Sequence, residues 1–166
     1  MYSVTFSPDG RSLTSGSEDN SVRLWNIRDG SSKKLPAKDA SFFVSVVFSP
    51  DGRYIAAGDL RNRLWIWNSR THKLIAKWEG HRDCVWCVKF TPDGKGLMSG
   101  GTDNMVRYWD LSSLGREVVA PGQSFPLIRN FSGHTVSLYN FNPMNVDFDF
   151  RRAAFSLLRS FPATVN

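Results

Sequence analysis

The sequence predicts an all-β fold of repeated four-stranded antiparallel sheets, and three observations predict it. First, landmarks return every 42 residues. Phe6-Ser7-Pro8-Asp9-Gly10, Phe48-Ser49-Pro50-Asp51-Gly52 and Phe90-Thr91-Pro92-Asp93-Gly94 share one spacing, as do Trp25-Asn26, Trp67-Asn68 and Trp109-Asp110. Second, turn residues cut each repeat into short runs of β-forming residues. Third, the chain is 41% hydrophobic and 13% aromatic, with six Trp and twelve Phe, which suits sheets stacked face to face. A unit of about forty residues cannot bury its apolar face alone, so repeats of this period stack on one another.

The second repeat shows the elements in order. Residues 43–49 form a β-rich run that stops at Pro50-Asp51-Gly52, where Pro presets φ and Gly supplies a positive φ. Residues 54–57 form the next strand, closed by Gly58. Residues 63–67 alternate Leu64 and Ile66 with Arg63, Trp65 and Trp67, and residues 74–78 give a fourth strand closed by Gly80. In this order the strands are a, b, c and d. The first repeat offers strands at 2–6, 12–15 and 22–26, and the third at 84–90, 97–99 and 105–109. Beyond Asp110 the regularity loosens into a turn-rich loop over 112–126, after which 127–131 suits strand d of the third unit. Gly133-His134 announces a fourth repeat, and 136–141 suits its first strand, but no Asp-Gly turn and no Trp-Asp follow.

Residues 144–166 do not match the repeat. Phe150, Ala154, Leu157, Leu158 and Phe161 have helical spacing among Arg151, Arg152 and Arg159. That segment reads either as a basic amphipathic helix for a membrane or a partner, or as sequence foreign to the repeat. At the other end, residue 2 onward already reads as the inside of a strand, as if the chain were cut through a repeat.

Charge and cysteine content bound the function. The net charge of +6 and the pI near 9.6 favour non-specific attraction to acidic surfaces without specifying one. No stretch approaches the roughly 20 apolar residues of a membrane helix, and no secretory signal opens the chain. Cys84 and Cys87 have Cys-x-x-Cys spacing, which raises a metal or redox reading. On a strand, however, residues three apart point to opposite faces, so structural thiols in a reducing compartment are the better expectation. No cofactor or metal is expected. No phosphate loop or dinucleotide spacing occurs among the Gly-rich turns, so no enzyme chemistry is expected.

In order along the third repeat stand Gly80-His81, Phe90-Thr91-Pro92-Asp93-Gly94, Ser99-Gly100-Gly101-Thr102-Asp103 and Trp109-Asp110. These motifs resemble the WD-repeat β-propeller family over roughly residues 1–134, with repeats near 1–36, 37–79 and 80–132. The resemblance implies a partial propeller of about three blades, followed by a degenerate fourth repeat and unmatched tail over 135–166. It also implies a shared hydrogen-bond network of His81, Ser99, Asp103 and Trp109. Ser-His-Asp invites a hydrolase reading, but a catalytic triad needs an exposed nucleophile and an oxyanion site. Here all three occupy framework positions. The first repeat keeps Ser15, Asp19 and Trp25, and its His would precede residue 1. In the second repeat the equivalents of His81, Ser99 and Asp103 are Asp39, Ala57 and Arg61, while Trp67 remains. The polar set is lost as a unit, as expected where one loss strands the others.

A closer resemblance rests on Tyr54-Ile55-Ala56-Ala57-Gly58, in a repeat that follows Lys38-Asp39 and lacks Gly-His. The next repeat carries the full set and is followed by a long loop before Gly133-His134. This order is similar to the Tup-type fungal transcriptional co-repressors, relatives of Groucho. That resemblance implies a nuclear interaction platform for DNA-bound repressors and histone tails; a cytoplasmic location is the alternative. Other WD scaffolds, of a ubiquitin ligase, signalling or ribonucleoprotein complex, are the competing readings, together with a truncated fragment that has no function. The departures are the short span, Asp59-Leu60-Arg61 in place of Ser-x-Asp, and the tail.

Propeller topology puts the loops before strand a and the b–c turns on one face, the top. Those loops carry Glu18, Asp19, Lys38, Asp39, Asp59, Arg61, Glu79, Arg82, Asp83 and Asp103, an acidic excess suited to a basic peptide. The bottom loops carry a basic excess that includes Arg11, Lys33, Lys34, Arg53 and Lys95. That face suits an acidic partner or nucleic acid, with direct nucleic-acid binding expected to be non-specific at most. Tyr2, Val44 and Trp86 occupy one equivalent position at the start of strand a, which in the family rims the top. With Arg61, Arg82 and Asp83 they are the candidate partner-binding residues. Propellers close with about four to eight blades, so three alone predict oligomerisation or stabilisation by a partner.

Overall fold

The computed structural model describes residues 1–114 and 125–132. The loop residues Arg116 and Glu117, the Gly133-His134 motif and everything expected of 135–166 lie outside the described residues. Twelve strands are described, in three sheets of four. Blade 1 contains β1 (Ser3–Phe6), β2 (Ser12–Gly16), β3 (Val22–Asn26) and β4 (Ser32–Lys34). Blade 2 contains β5 (Phe43–Phe48), β6 (Tyr54–Asp59), β7 (Arg63–Asn68) and β8 (Leu74–Glu79). Blade 3 contains β9 (Val85–Phe90), β10 (Gly96–Gly101), β11 (Val106–Asp110) and β12 (Leu127–Phe131). Strands consecutive in sequence pair antiparallel throughout, a meander that needs only short connections. This is a partial propeller, all-β over the described residues.

The expected strands match within a residue or two at each end. One element escaped the sequence reading. β4 is three residues long, all polar and all exposed, so it carries no apolar alternation to reveal it. Lys33 and Lys34, expected in a bottom loop, therefore lie in this edge strand and pair with Leu24 and Arg23.

The turns explain why the repeat is exact. Gly10, Gly52 and Gly94 take φ of +70°, +72° and +70°, a region that a side chain makes strained. In each turn the hydroxyl of Ser7, Ser49 or Thr91 donates to the Asp two residues on, and that carboxylate accepts the N–H of Arg11, Arg53 or Lys95. The b–c turns place Asn20, Asn62 and Asn104 in the left-handed region, where Asn is the best tolerated of the non-glycine residues.

The cores lie between blades, not within them. Trp65 and Trp67 leave one face of β7 and join Phe43, Val46 and Ile55 in a cluster with Val22 and Leu35 of blade 1. Leu64 and Ile66 leave the opposite face and join Val85, Val88, Leu97 and Trp109 of blade 3. The two indoles stack with centroids 5.8 Å apart, and Phe43 meets Trp65 edge-on at 5.6 Å. Blade 2 is thus covered on both sides. Between blades, the N–H groups of Val46 and Val88 donate to Ser3 Oγ and Ser45 Oγ, each at 3.1 Å.

Candidate functional site

The polar residues singled out by the sequence converge at the top of blade 3. His81 follows β8, the last strand of blade 2, and reaches into blade 3. Its Nε2 lies 2.8 Å from Ser99 Oγ and its Nδ1 2.8 Å from Asp103 Oδ1. Trp109 Nε1 donates to Ser99 Oγ at 2.8 Å. An indole N–H can only donate, so Ser99 Oγ accepts it; the Asp103 carboxylate can only accept, so His81 Nδ1 is the donor and Nε2 of the neutral ring accepts the Ser99 hydroxyl. The ring hydrogen then sits on Nδ1 and goes to Asp103. Burial pushes the imidazole pKa down, against the pull of Asp103, so the ring is neutral at pH 7. Burial also works against the charge on Asp103. The bonds from Arg82 N–H, His81 and Arg107 outweigh it and hold the carboxyl down at about 2.

The distances match those of a hydrolytic triad, but the surroundings do not. Ser99 is fully buried and its oxygen is already engaged by Trp109, so no substrate carbonyl reaches it. The chain of bonds ties the segment before β9 to the hairpin of β10 and β11. Arg107, which the sequence reading passed over, completes it. Its guanidinium donates to Asp103 Oδ2 at 2.6 Å and to Gly80 O at 3.0 Å.

Blade 1 forms only part of the expected set. Trp25 Nε1 donates to Ser15 Oγ at 2.9 Å. Asp19 does not join them. It is exposed and accepts the hydroxyl and N–H of Ser21, closing its own turn. Those bonds, the hydroxyl first, lower its pKa. Without a histidine bridging it to Ser15, Asp19 has no reason to turn inward.

Blade 2 corrects the sequence reading more sharply. Its polar set is not simply missing; another has replaced it. Asp59, expected as a top-surface charge, is fully buried. Its Oδ1 accepts the N–H groups of Arg61 and Arg63 at 2.9 and 3.1 Å. Its Oδ2 accepts Trp65 Nε1 at 3.0 Å, Arg63 Nε at 2.9 Å and Arg63 Nη2 at 2.7 Å. Arg63 Nη2 also donates to Asp39 O at 2.6 Å, reaching the position equivalent to His81. Asp59–Arg63 thus repeats the (i, i+4) pair Asp103–Arg107, displaced two residues along the hairpin. Trp67, without a serine partner, donates to Pro36 O at 2.8 Å. The signal available in the sequence was an Asp and an Arg four apart across a tight b–c turn.

The partner candidates share one rim. Val44 and Trp86 are the unpaired residues of β-bulges: β5 pairs through Phe43 and Ser45, and β9 through Val85 and Cys87. A bulge re-aims the side chain it carries. Trp86 is half-buried, its Nε1 donating to Thr102 Oγ1 at 2.8 Å, while Tyr2 is 40% exposed. Arg61, Arg82 and Asp83 are exposed beside them. With Asp59 and Asp103 paired to arginines, the top still carries Glu18, Asp19, Asp39, Glu79 and Asp83 against Lys38, Arg61 and Arg82. At the bottom, Asp9, Asp51 and Asp93 accept the backbone N–H groups of Arg11, Arg53 and Lys95, and among the described turn cations only Arg53 reaches its carboxylate, at 3.7 Å from Asp51.

The cysteines do not form a site. Cys84 precedes β9 and directs its Sγ to Leu60 O at 3.2 Å. Cys87 lies within β9, where burial pushes its thiol up to about 11. Among the described residues no group of three or more His, Cys, Asp or Glu could hold a metal ion, and no helix is long and apolar enough to cross a membrane.

Comparison with known proteins agrees with this architecture. The structures of U3-55K and of the RRP9 WD40 repeats share the fold, with TM-scores of 0.70 and 0.68 and identities of 22% and 23%. In both cases 81% of this chain is covered and 39% of the other, so the chain spans well under half of the structures it matches. No curated protein matches it. The family described as WD domain, G-beta repeat matches residues 1–26, 31–68 and 72–110. Those segments carry the turns, the Trp positions and the blade-spanning network, and the chain belongs to the WD40 repeat family.

Proposed function

We propose that this chain is a non-catalytic scaffold that holds a protein partner on its top rim. The observation that carries the reading is the pair of bulges at Val44 and Trp86. They recur at one repeat position and set a half-buried apolar side chain on the rim that also carries the exposed Arg61, Arg82 and Asp83. Aromatic residues and Arg are the commonest anchors of protein interfaces. The deeper polar groups are consumed in joining blades and leave no free nucleophile among them. WD40 repeats generally serve as such scaffolds.

Two finer placements compete: a nuclear transcriptional co-repressor and a ribonucleoprotein complex. The presence of U3-55K and RRP9 among the similar structures favours the second.

The test is affinity purification of the tagged chain from its own cells, wild type beside Trp86→Ala and Arg82→Ala, with mass spectrometry and RNA sequencing of the eluates. Both variants should lose the same proteins while keeping their far-UV circular dichroism. Loss of proteins that co-purify with a small RNA supports the ribonucleoprotein placement. Loss of chromatin repressors restores the co-repressor placement. Identical eluates from all three chains remove the top rim as the binding surface.

A further inference from the structure

The repeat lets one blade contact be judged against the next, position by position. At the bottom of the contact between blades 1 and 2 lies a groove of about 240 Å³. Leu24 and Phe48 give it an apolar lining, Ser12 and Ser69 two small side chains, and Asp9 and Asp51 two carboxylates from the a–b turns. Both walls come from blades whose strands are all described. In the next contact, between blades 2 and 3, the same place is filled. Tyr54 stands where Ser12 does, and Leu111 where Ser69 does. Tyr54 packs on the core between blades 2 and 3, and Leu111 is buried within it. Blade 3 fills the position differently. Gly96 is the equivalent of Ser12 and Tyr54, and a Cβ there would collide with the ring of Tyr108, the equivalent of Leu24. Burial first, and then Asp93 and Asp110, push the Tyr108 hydroxyl pKa up, so its polar end lies near the carboxylate of the a–b turn. Blades 2 and 3 therefore each set a phenol ring here, and blade 1 sets none.

We propose that this groove takes a tyrosine side chain presented by a protein partner. Its size suits one side chain, since it falls below the roughly 300–1,000 Å³ of sites for small-molecule ligands. Its shape suits a ring, since the chain's own repeat puts Tyr54 or Tyr108 in the equivalent places. Leu24 and Phe48 offer the apolar contact. Asp9 and Asp51 offer the acceptor for a phenol hydroxyl. Each spends Oδ1 on its own turn, accepting the hydroxyl of Ser7 or Ser49 and the N–H of Arg11 or Arg53. Oδ2 is left for a ligand, and Asp51 Oδ2 has Arg53 Nε no closer than 3.7 Å, in an exposed pair. A tyrosine in a pocket is among the commonest anchors of protein interfaces. The groove lies on the face opposite the top rim, and it holds or fails independently of any partner there.

Titration of N-acetyl-tyrosinamide into the whole methyl-labelled chain tests it, with the Leu24 methyl resonances as the readout. Wild type should show a saturable shift of those methyls. Ser12→Tyr should abolish it, because the new ring occupies the groove as Tyr54 occupies the next one, and its melting temperature should not fall below that of wild type. Ser69→Leu closes the groove from the other wall and should abolish the shift as well, so the test survives if either variant fails to fold. N-acetyl-phenylalaninamide, which lacks the hydroxyl, should bind about tenfold more weakly, the worth of one hydrogen bond to a charged group. The proposal is overturned if the wild-type methyls show no saturable shift, which would leave the groove to water. It is equally overturned if folded Ser12→Tyr or Ser69→Leu shifts as wild type does, or if the two amides bind equally well.

Discussion

Ser99 is the residue on which the blade 3 network turns, because its hydroxyl both accepts from Trp109 and donates to His81. Ser99→Ala strands two buried groups, each worth roughly 1–3 kcal/mol when unsatisfied. Urea unfolding should show a loss of about 2–6 kcal/mol for the two together, and a loss below about 0.5 kcal/mol, the scatter of ordinary surface changes, would remove the network as a stabilising element. The same site predicts acid sensitivity. His81 is held below its ordinary 6.5, chiefly by burial, so the unfolded chain binds a proton that the folded chain refuses. Stability is then complete above pH 6.5 and declines as pH falls below it. Asp103 lies at about 2 against an ordinary 3.8, so a second decline runs from near pH 4 down through about 2. His81→Gln should flatten the first decline in a urea–pH series. The part due to His72, whose pKa is lowered by burial and by Lys33, should persist. In blade 2, Asp59→Leu leaves the Arg63 guanidinium without its carboxylate and should cost about 3–5 kcal/mol. The double variant with Arg63→Met should recover most of it. If it recovers nothing, the pair is not what Asp59 supports. The blade 3 residues could be named from the family resemblance, since their motif is complete. Arg63, Arg107 and the inward turn of Asp59 could not, because a charged residue near a turn is normally solvated.

At the level of strands, the structure distinguishes glycines that look identical in sequence. Gly58 and Gly100 occupy the same repeat position, yet a Cβ on one would meet Val85 and on the other nothing within 4 Å among the described residues. Gly58→Ala should therefore lower the melting temperature by several degrees, and by more than Gly100→Ala does. Equal effects would mean that strand propensity, not the approach of the next blade, decides the cost. Strand positions were legible because turns recur with the chemistry each turn type demands. The bulges at Val44 and Trp86 were not, since an extra residue in one strand shows only against the register of its partner. β4 was hidden for the opposite reason: an exposed edge strand of three polar residues carries no pattern.

For the whole described molecule, burial is distributed by blade order. Ile55, Ala56, Ala57 and Leu64 to Trp67 of blade 2 are all fully buried, whereas β1 and β12 carry Val4, Phe6, Leu127 and Ile128 at the surface. Repeat arrays gain stability from neighbours as well as from each unit. Hydrogen exchange should therefore be slowest over residues 54–67 and fastest over β1, β4 and β12. Uniform protection across the three blades would contradict this ordering. By itself the sequence determined the class, the period and nearly all strands, because these rest on local turn chemistry and on two-residue alternation, while the His81–Ser99–Asp103–Trp109 set followed from the family resemblance that its motifs carry. Only the tertiary structure decided which polar groups are buried, and that Asp59 and Arg63 rebuilt in blade 2 what its motif lacks. Burial and the register between neighbouring sheets are set by contacts between residues far apart in the chain, and no local pattern encodes them.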